Sequence, residues 1–126
     1  MSTILIVDDE YDIAQAIRGI LEDEGHHVEV CSNGRHALQC INEKFSDTTF
    51  QLILLDVMMP FMSGLDLLKH LRDDKRFSQV PIVLMNNTDI KVSPSDYQWN
   101  DFLRKPFDCK TLLQVVNRFG KRDQEP

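Results

Sequence analysis

The stretch QLILLDVMMPFMSG, residues 51–64, decides the fold of this chain. Its apolar run, residues 52–55, is too short for a buried helix and ends in the carboxylate of Asp56, which is typical of a central strand in a parallel sheet. Pro60 and Gly64 then interrupt regular structure before the next apolar periodicity begins. The sequence therefore predicts that Asp56 lies beneath a loop at the carboxyl edge of a sheet, where open α/β sheets place their functional sites.

Composition limits the function before any motif is considered. The chain has 126 residues, of which 42% are hydrophobic, and these values fit one domain with a core of its own. A net charge of −6, without a block of Lys or Arg, argues against direct binding of nucleic acid or of an anionic membrane by this chain. The apolar runs are too short to span a bilayer, and the first residues lack the pattern of a secretory signal. We therefore expect a cytoplasmic protein.

The cysteines give no sign of a disulfide framework. Cys31, Cys40 and Cys109 are odd in number and widely spaced, which is typical of reduced thiols in a cytosolic protein. Cys40 and the histidines near it, such as His36, lack the paired short spacing that marks metal ligands. The sequence alone therefore predicts neither a disulfide nor a metal centre at these residues.

Strand and helix signals alternate along the whole chain. Apolar and β-branched runs predict strands at residues 3–7, 27–31, 52–55, 82–85 and 101–104, and apolar residues spaced by three and four predict a helix after most of them. This alternation predicts an α/β fold with a doubly wound, five-stranded parallel sheet covered by helices on both faces. We expect one domain over residues 1–120 and a C-terminal tail over residues 121–126.

The interval of residues 87–100 breaks this alternation. It is too short for a full crossover helix with a loop at each end. Residues 90–92 alternate as in an extended segment, and residues 93–96 have a serine N-cap, a first-turn proline and an acidic third position. We predict an extended arm and then about one turn of helix at residues 94–98, with Tyr97 and Trp99 covering core that a longer helix would otherwise cover.

Charged side chains end three of the predicted strands. Asp8 and Asp9 follow the first strand, Asp56 ends the third, and Lys105 follows the fifth. When the first and third strands are neighbours, these ends converge on one crevice. Each close pair of carboxylates repels by on the order of a few kcal/mol at an effective dielectric near 20, so the cluster needs a cation. Carboxylate oxygens suit Mg²⁺, and the neutralised pocket suits attack by a carboxylate on an incoming phosphoryl group.

These motifs together resemble the receiver domain of two-component response regulators. The matching residues are Asp8-Asp9, Asp56-Val57-Met58-Met59-Pro60 with Gly64, and Lys105-Pro106-Phe107. The resemblance covers nearly the whole chain, from Thr3 to about Arg118. It implies the flavodoxin-like strand order 2-1-3-4-5, here with the fourth helix shortened or largely lost, and a cis peptide before Pro106.

The resemblance also implies a role for each residue of the crevice. Asp56 is the phosphoacceptor, which takes its phosphoryl group from a histidine kinase or a phosphotransfer protein. Mg²⁺ is held by Asp9, by Asp8 mainly through water, by Asp56 and by the main-chain carbonyl of Met58, while Lys105 pairs with the phosphoryl oxygens. Such a domain is not an enzyme beyond catalysing its own phosphoryl transfer and dephosphorylation. Its output protein or domain is not identified by the sequence.

Several positions depart from the family pattern. Receivers usually carry Ser or Thr where this chain has Asn86, whose amide can still donate a hydrogen bond to a phosphoryl oxygen. Thr88 is an alternative donor if the loop is rearranged. Phe102 occupies the position of the family's switch aromatic, although an aromatic residue there is more often packed core. Trp99 and Asn100 replace the usual glycine-alanine pair, and together with the short fourth helix they imply an altered partner surface.

Two functions from different classes follow from these observations. The first is a phosphorylation switch, in which Mg²⁺-dependent acyl phosphate formation at Asp56 shifts a two-state population. The second is a receiver-like interaction module whose output does not depend on phosphorylation, as Asn86 and the altered segment suggest. The complete acidic set favours the first, because a module without phosphorylation has little need to keep mutually repelling acids.

Overall fold

Strands and helices alternate throughout the computed structural model, which describes residues 3–119 of the chain. Strands β1 to β5 span Thr3–Val7, His27–Cys31, Leu52–Asp56, Ile82–Asn86 and Asp101–Arg104. Helices α1 to α5 span Tyr11–Asp23, Gly34–Glu43, Gly64–Asp73, Pro94–Tyr97 and Cys109–Phe119. The tail expected at residues 121–126 lies outside the described part of the chain.

The strands form one parallel sheet in the order β2-β1-β3-β4-β5. This order confirms the doubly wound, flavodoxin-like sheet. β1 lies next to β3, with Val7 opposite Leu55 in the register. The residues that follow these two, Asp8 and Asp56, therefore lie side by side at the carboxyl edge of the sheet.

Helices cover both faces of this sheet. Side chains from α2 and α3 pack in one core cluster with Leu5 and Ile53, and side chains from α1 and α5 pack in a second cluster with Ile4 and Leu54. All four of these strand residues are fully buried. The continuous apolar runs of residues 4–7 and 52–55 allow β1 and β3 to be buried on both faces. Burying each such side chain contributes about 1.5–3 kcal/mol to stability.

Side-chain caps fix where several helices begin. The capping oxygens belong to Asn33, Ser63, Ser93 and Asp108, and each accepts a hydrogen bond from the main-chain amide three residues later, at 2.7–3.2 Å. A cap of this kind contributes about 0.5–2 kcal/mol. The cap at Ser93 confirms the sequence prediction. Among residues 3–119, no helix is both long enough and apolar enough to cross a membrane.

The fourth helix is as short as the sequence predicts. Residues 87–93 are irregular, and α4 has 4 residues. Tyr97 and Trp99 pack against the first core cluster, together with Ile90. The indole N–H of Trp99 donates to the carbonyl of Val92 at 3.3 Å. Large side chains therefore cover a part of the core that a longer helix would cover.

One guanidinium from α3 holds this segment to the rest of the domain. Its acceptors are the carbonyl oxygens of Phe77, Val80 and Gln98 and the side-chain oxygen of Asn100, at 2.6–2.9 Å from Arg72. The same Asn100 oxygen accepts from the amide of Ile82 at 2.8 Å. Arg72 and Asn100 thus link α3, the amino end of β4 and the residues before β5, a connection that the sequence pattern did not predict.

Candidate functional site

Strand ends bring three carboxylates together. The amide of Asp8 continues the ladder between β1 and β2 by donating to the carbonyl of Cys31 at 3.1 Å, and Asp56 is the last residue of β3. One carboxylate oxygen from each of Asp8, Asp9 and Asp56 lies within 4.8 Å of the others. Asp8 and Asp56 are buried, whereas Asp9 is exposed. The cluster is therefore open to solvent on the side of Asp9.

A buried ammonium group partly balances these charges. The side chain of Lys105, 5% exposed, donates to Asp8 Oδ2 and to Glu10 Oε1, each at 2.8 Å. Its Nζ is 3.5 Å from Asp56 Oδ1. The peptide bond between Lys105 and Pro106 is cis, as the resemblance implies. The structure thus brings together Asp8, Asp9, Asp56 and Lys105 and adds Glu10, which sequence reasoning missed, although its place directly after Asp9 was a signal.

The electrostatics of the cluster show a shortage of positive charge. Burial, followed by the neighbouring charge of Asp8, raises the pKa of Asp56 to about 7, even though Lys105 acts in the opposite direction. Burial lowers the pKa of Lys105, but its hydrogen bonds to Asp8 and Glu10 and the charge of Asp56 outweigh that effect and raise it above its usual value. One ammonium therefore does not neutralise the three carboxylates of Asp8, Asp9 and Asp56, and adding a divalent cation among them would balance their charge.

The loop after β3 closes over the phosphoacceptor candidate. The amide of Gly64 donates to the carbonyl of Val57 at 2.8 Å, and a Cβ added at Gly64 would lie 2.1 Å from the carbonyl oxygen of Asp56. Only glycine allows this close approach. The side chains of Met58 and Phe61 are 71% and 79% exposed. The loop therefore packs its Gly64 against the main chain of Asp56, and the Met58 carbonyl as a metal ligand stays a prediction.

Asn86 lies at the end of β4, and its side-chain amide is already engaged. Its Nδ2 donates to the carbonyl oxygen of Thr88 at 3.0 Å and to the Thr88 hydroxyl at 3.3 Å. The main-chain carbonyl oxygen of Asn86 accepts from the main-chain amide of Lys105 at 2.7 Å. Phe102 is partly buried against the first core cluster, opposite Leu84 in the sheet. The roles of Asn86 and Phe102 in a switch stay predictions.

Curated relatives are similar in sequence to this chain along most of its length. The family model described as the response regulator receiver domain matches residues 4–117. The transcriptional regulatory protein CpxR homolog of Haemophilus influenzae is 35% identical over 100% of this chain and 53% of its own length. The uncharacterized transcriptional regulatory protein YkoG of Bacillus subtilis is 41% identical over 90% of this chain and 48% of its own length. The chain thus spans about half the length of these relatives.

Solved structures share the fold. The Vibrio cholerae chemotaxis protein CheY4 superposes with a TM-score of 0.80 at 31% identity, covering 94% of this chain and 98% of that chain. The receiver domain of the Francisella response regulator 1452 superposes with a TM-score of 0.83 at 31% identity, covering 98% of this chain and 99% of that chain. The family match over residues 4–117, the strand order and the acids at the carboxyl edge lead to one conclusion: the chain belongs to the response regulator receiver domain family, the phosphorylation-switched domains of two-component systems.

Proposed function

We propose that this receiver domain accepts a phosphoryl group on Asp56 in a Mg²⁺-dependent reaction and thereby changes its affinity for a protein partner. The observation that carries the proposal is the convergence of three carboxylates within 4.8 Å, with the Lys105 ammonium 3.5 Å from Asp56. Functional sites are where such mutually repelling, partly buried charges are found.

Each residue has a chemical role in this proposal. A carboxylate oxygen of Asp56 attacks the phosphorus of a phosphohistidine, the phosphorus–nitrogen bond breaks, and the imidazole leaves and takes up a proton, so that an acyl phosphate forms on Asp56. Lys105 shifts from the carboxylates toward the new phosphoryl oxygens, while Glu10 keeps the ammonium at the crevice. When bound, Mg²⁺ supplies positive charge to the transferring group.

The hydrogen bonds of Asp8 and Asp9 support different modes of metal binding. Asp8 Oδ1 accepts from the amide of Glu10 at 2.9 Å, and Asp8 Oδ2 accepts from Lys105 at 2.8 Å. Because both oxygens have partners, Asp8 suits contact with Mg²⁺ through water. Asp9 is exposed and suits direct contact, together with Asp56 and the main-chain carbonyl of Met58.

A protein donor fits the surroundings of the site. Tyr11 is 73% exposed at the start of α1, and Met58 and Phe61 are also exposed in the loop after β3. Large exposed apolar side chains near one opening are typical of a protein contact surface. The donor we propose is a histidine kinase or a phosphotransfer protein, in the cytoplasm, where the free thiols of this chain persist. The net charge of −6 argues against nucleic acid as a direct partner.

A second function rests on Asn86. Its amide is held by Thr88, so a phosphoryl group at Asp56 would have to compete with two existing hydrogen bonds. If it does not, the domain binds its partner in the same way with and without phosphate. The intact set of Asp8, Asp9, Asp56 and Lys105 favours the phosphorylation switch.

Intact mass after incubation with acetyl phosphate and Mg²⁺ tests the proposal. We expect a gain of one phosphate that is lost in Asp56→Asn and without the metal. Asp23→Asn, an exposed acid in the last turn of α1, is the matched control and keeps the gain. No gain in the unmodified chain, under conditions that label another receiver, would contradict acceptance at Asp56 and favour the phosphorylation-independent module.

A further inference from the structure

A second cluster of metal-ligating side chains lies away from the acidic site. Cys31 ends β2, and His36 and Cys40 lie four residues apart on α2, so they share one side of that helix. One ligand atom from each of Cys31, His36 and Cys40 lies within 4.8 Å of the others. Both thiols are free, with Cys31 1% and Cys40 6% exposed. The packing of α2 on β2 creates this group, which the spacing along the sequence does not show.

We propose that Cys31, His36 and Cys40 form a binding site for a divalent thiophilic metal ion, with Zn²⁺ as the expected occupant. Two sulfurs and one imidazole nitrogen are the ligand types that Zn²⁺ prefers. Four-coordinate zinc at bond lengths of about 2.0–2.3 Å places its ligand atoms roughly 3.3–3.8 Å apart. The observed upper limit of 4.8 Å therefore needs only small side-chain movements.

Charge balance selects a divalent ion over a monovalent one. Binding converts two thiols into thiolates and releases two protons, while the imidazole stays neutral. A 2+ ion with two thiolates has no net charge, which suits sulfurs that pack in the first core cluster. A monovalent ion such as Cu⁺ would leave one negative charge buried there, at a cost.

The exposed side of the cluster would let the ion enter and would let a water molecule serve as its fourth ligand. His36 is partly exposed at the start of α2. The amide of Ser32 donates to His36 Nδ1 at 3.3 Å, and the Ser32 hydroxyl is 3.5 Å from the same nitrogen. These two contacts hold the ring beside the thiols in the metal-free protein. Metal binding through Nε2 puts the imidazole proton on Nδ1, so the ring would release the Ser32 amide and donate to the Ser32 hydroxyl instead. Three protein ligands and an open side are typical of zinc sites that keep a water molecule.

Occupancy would stabilise the edge of the sheet. β2 is an edge strand, and the site joins its last residue, Cys31, to α2. The Cys31 carbonyl also accepts from the amide of Asp8, at 3.1 Å. A ligand that binds only the folded state raises stability, so we expect Zn²⁺ to raise the Tm of the reduced protein and a chelator to reverse the rise.

Cobalt titration of the reduced, chelator-treated protein tests the site directly. Excess Mg²⁺ is present throughout, so that the carboxylates of the acidic site are occupied. We expect one equivalent of Co²⁺ to produce thiolate-to-cobalt charge-transfer absorption and tetrahedral d–d bands, both removed by Zn²⁺. Carboxylates give no such charge-transfer band, which makes this readout specific to the cysteines.

Matched variants assign the ligands. Cys40→Ala should weaken the charge-transfer band, because only the Cys31 thiolate remains, and should weaken Zn²⁺ binding by at least about 100-fold. His36→Ala should fold normally, because the ring is partly exposed, and should weaken binding by about 10–100-fold with altered d–d bands. The controls are Cys109→Ala and His70→Ala, which remove an exposed thiol and an exposed imidazole and should leave Zn²⁺ affinity unchanged.

Three results would contradict the proposed metal site. The first is a reduced protein that gives no charge-transfer band with Co²⁺. The second is equal Zn²⁺ affinity in the unmodified chain and in His36→Ala, which carries the test even if Cys40→Ala fails to fold by circular dichroism. The third is a reduced protein that binds no Zn²⁺ but loses two thiols in air, which would assign Cys31 and Cys40 to a disulfide instead.

Discussion

The acidic site and the segment of residues 87–100 are built in different ways, although β4 and β5 border both. Acidic side chains of the site are attached to strand ends, and backbone ladders fix them, as between Asp8 and Cys31 at 3.1 Å. The segment contains one 4-residue helix and depends on side-chain hydrogen bonds, above all those of Arg72. The placement of the acids therefore depends on the sheet, whereas the neighbouring surface depends on a few side chains.

Removal of the buried ammonium should have the largest effect. Lys105→Met leaves Asp8 and Asp56 buried without their counter-charge, and we expect a loss of about 3–5 kcal/mol in the free energy of unfolding by urea at neutral pH. Mg²⁺ should restore part of that loss. Adding Asp8→Asn to Lys105→Met should also restore part of it, because one of the repelling charges is removed. A stability equal to that of the unmodified chain would show that the acids do not depend on Lys105.

Loss of the Arg72 guanidinium should destabilise the segment of residues 87–100 and leave the acidic site unchanged. Arg72→Met leaves several carbonyl oxygens without a donor, and we expect a loss of about 1.5–3 kcal/mol in urea unfolding, with faster hydrogen exchange between residues 87 and 100. The rate of phosphorylation by acetyl phosphate should stay the same. Arg76→Met is the control, since Arg76 is exposed and its pairing with Asp74 should contribute only about 0–1 kcal/mol. An equal loss in both variants would contradict the role of Arg72.

The charge of the site should make stability fall with pH when no metal is bound. The pKa of Asp56 is raised to about 7, mainly by burial, from an ordinary value of 3.8. A raised pKa in an acid stabilises the folded state at low pH, and this contribution disappears as pH rises through about 7. Unfolding free energies of the unmodified chain and of Asp56→Asn should therefore diverge by on the order of 1–3 kcal/mol between pH 4 and 8. Mg²⁺ should reduce the difference, and a difference that is independent of pH without metal would contradict this origin.

The smallest effect belongs to the residue that joins the two regions. Asn86→Ala removes two hydrogen bonds to Thr88 and should cost only about 0.5–1.5 kcal/mol. In Asn86→Ala, addition of Mg²⁺ and a beryllofluoride mimic of the phosphoryl group should still change the amide chemical shifts of residues near Asp56. The changes at Thr88 and at the residues that follow it should be smaller than in the unmodified chain. If the chemical shift of Thr88 changes as much in Asn86→Ala as in the unmodified chain, coupling to the segment of residues 87–100 does not pass through Asn86.

Much of the fold and of the site could be predicted, because short-range signals carry them. Apolar runs bounded by acids mark the ends of β1 and β3, and their adjacency places Asp8 beside Asp56. The short fourth helix was also predictable, because the length of residues 87–100 leaves too little chain for a longer one. Capping residues such as Ser63 and Ser93 are local signals of the same kind.

Contacts between distant parts of the chain could not be predicted in the same way. Glu10 meets Lys105 across a separation of 95 residues, and Arg72 meets Asn100 across 28. Neither contact has a local sequence pattern, since a charged side chain on a helix or loop has many partners within reach. Cys31 joins His36 and Cys40 only because α2 packs on β2.

The sequence by itself determined the element order, the strand that carries Asp56 and the acids that accompany it, because periodicity and strand ends are properties of neighbouring residues. The tertiary structure alone decided how Lys105 shares its charge among three carboxylates, how Arg72 holds the shortened segment, and that two thiols and an imidazole lie within 4.8 Å of one another. These features depend on where side chains point after helices have packed on the sheet. That direction follows from the whole core, and no local stretch of sequence specifies it.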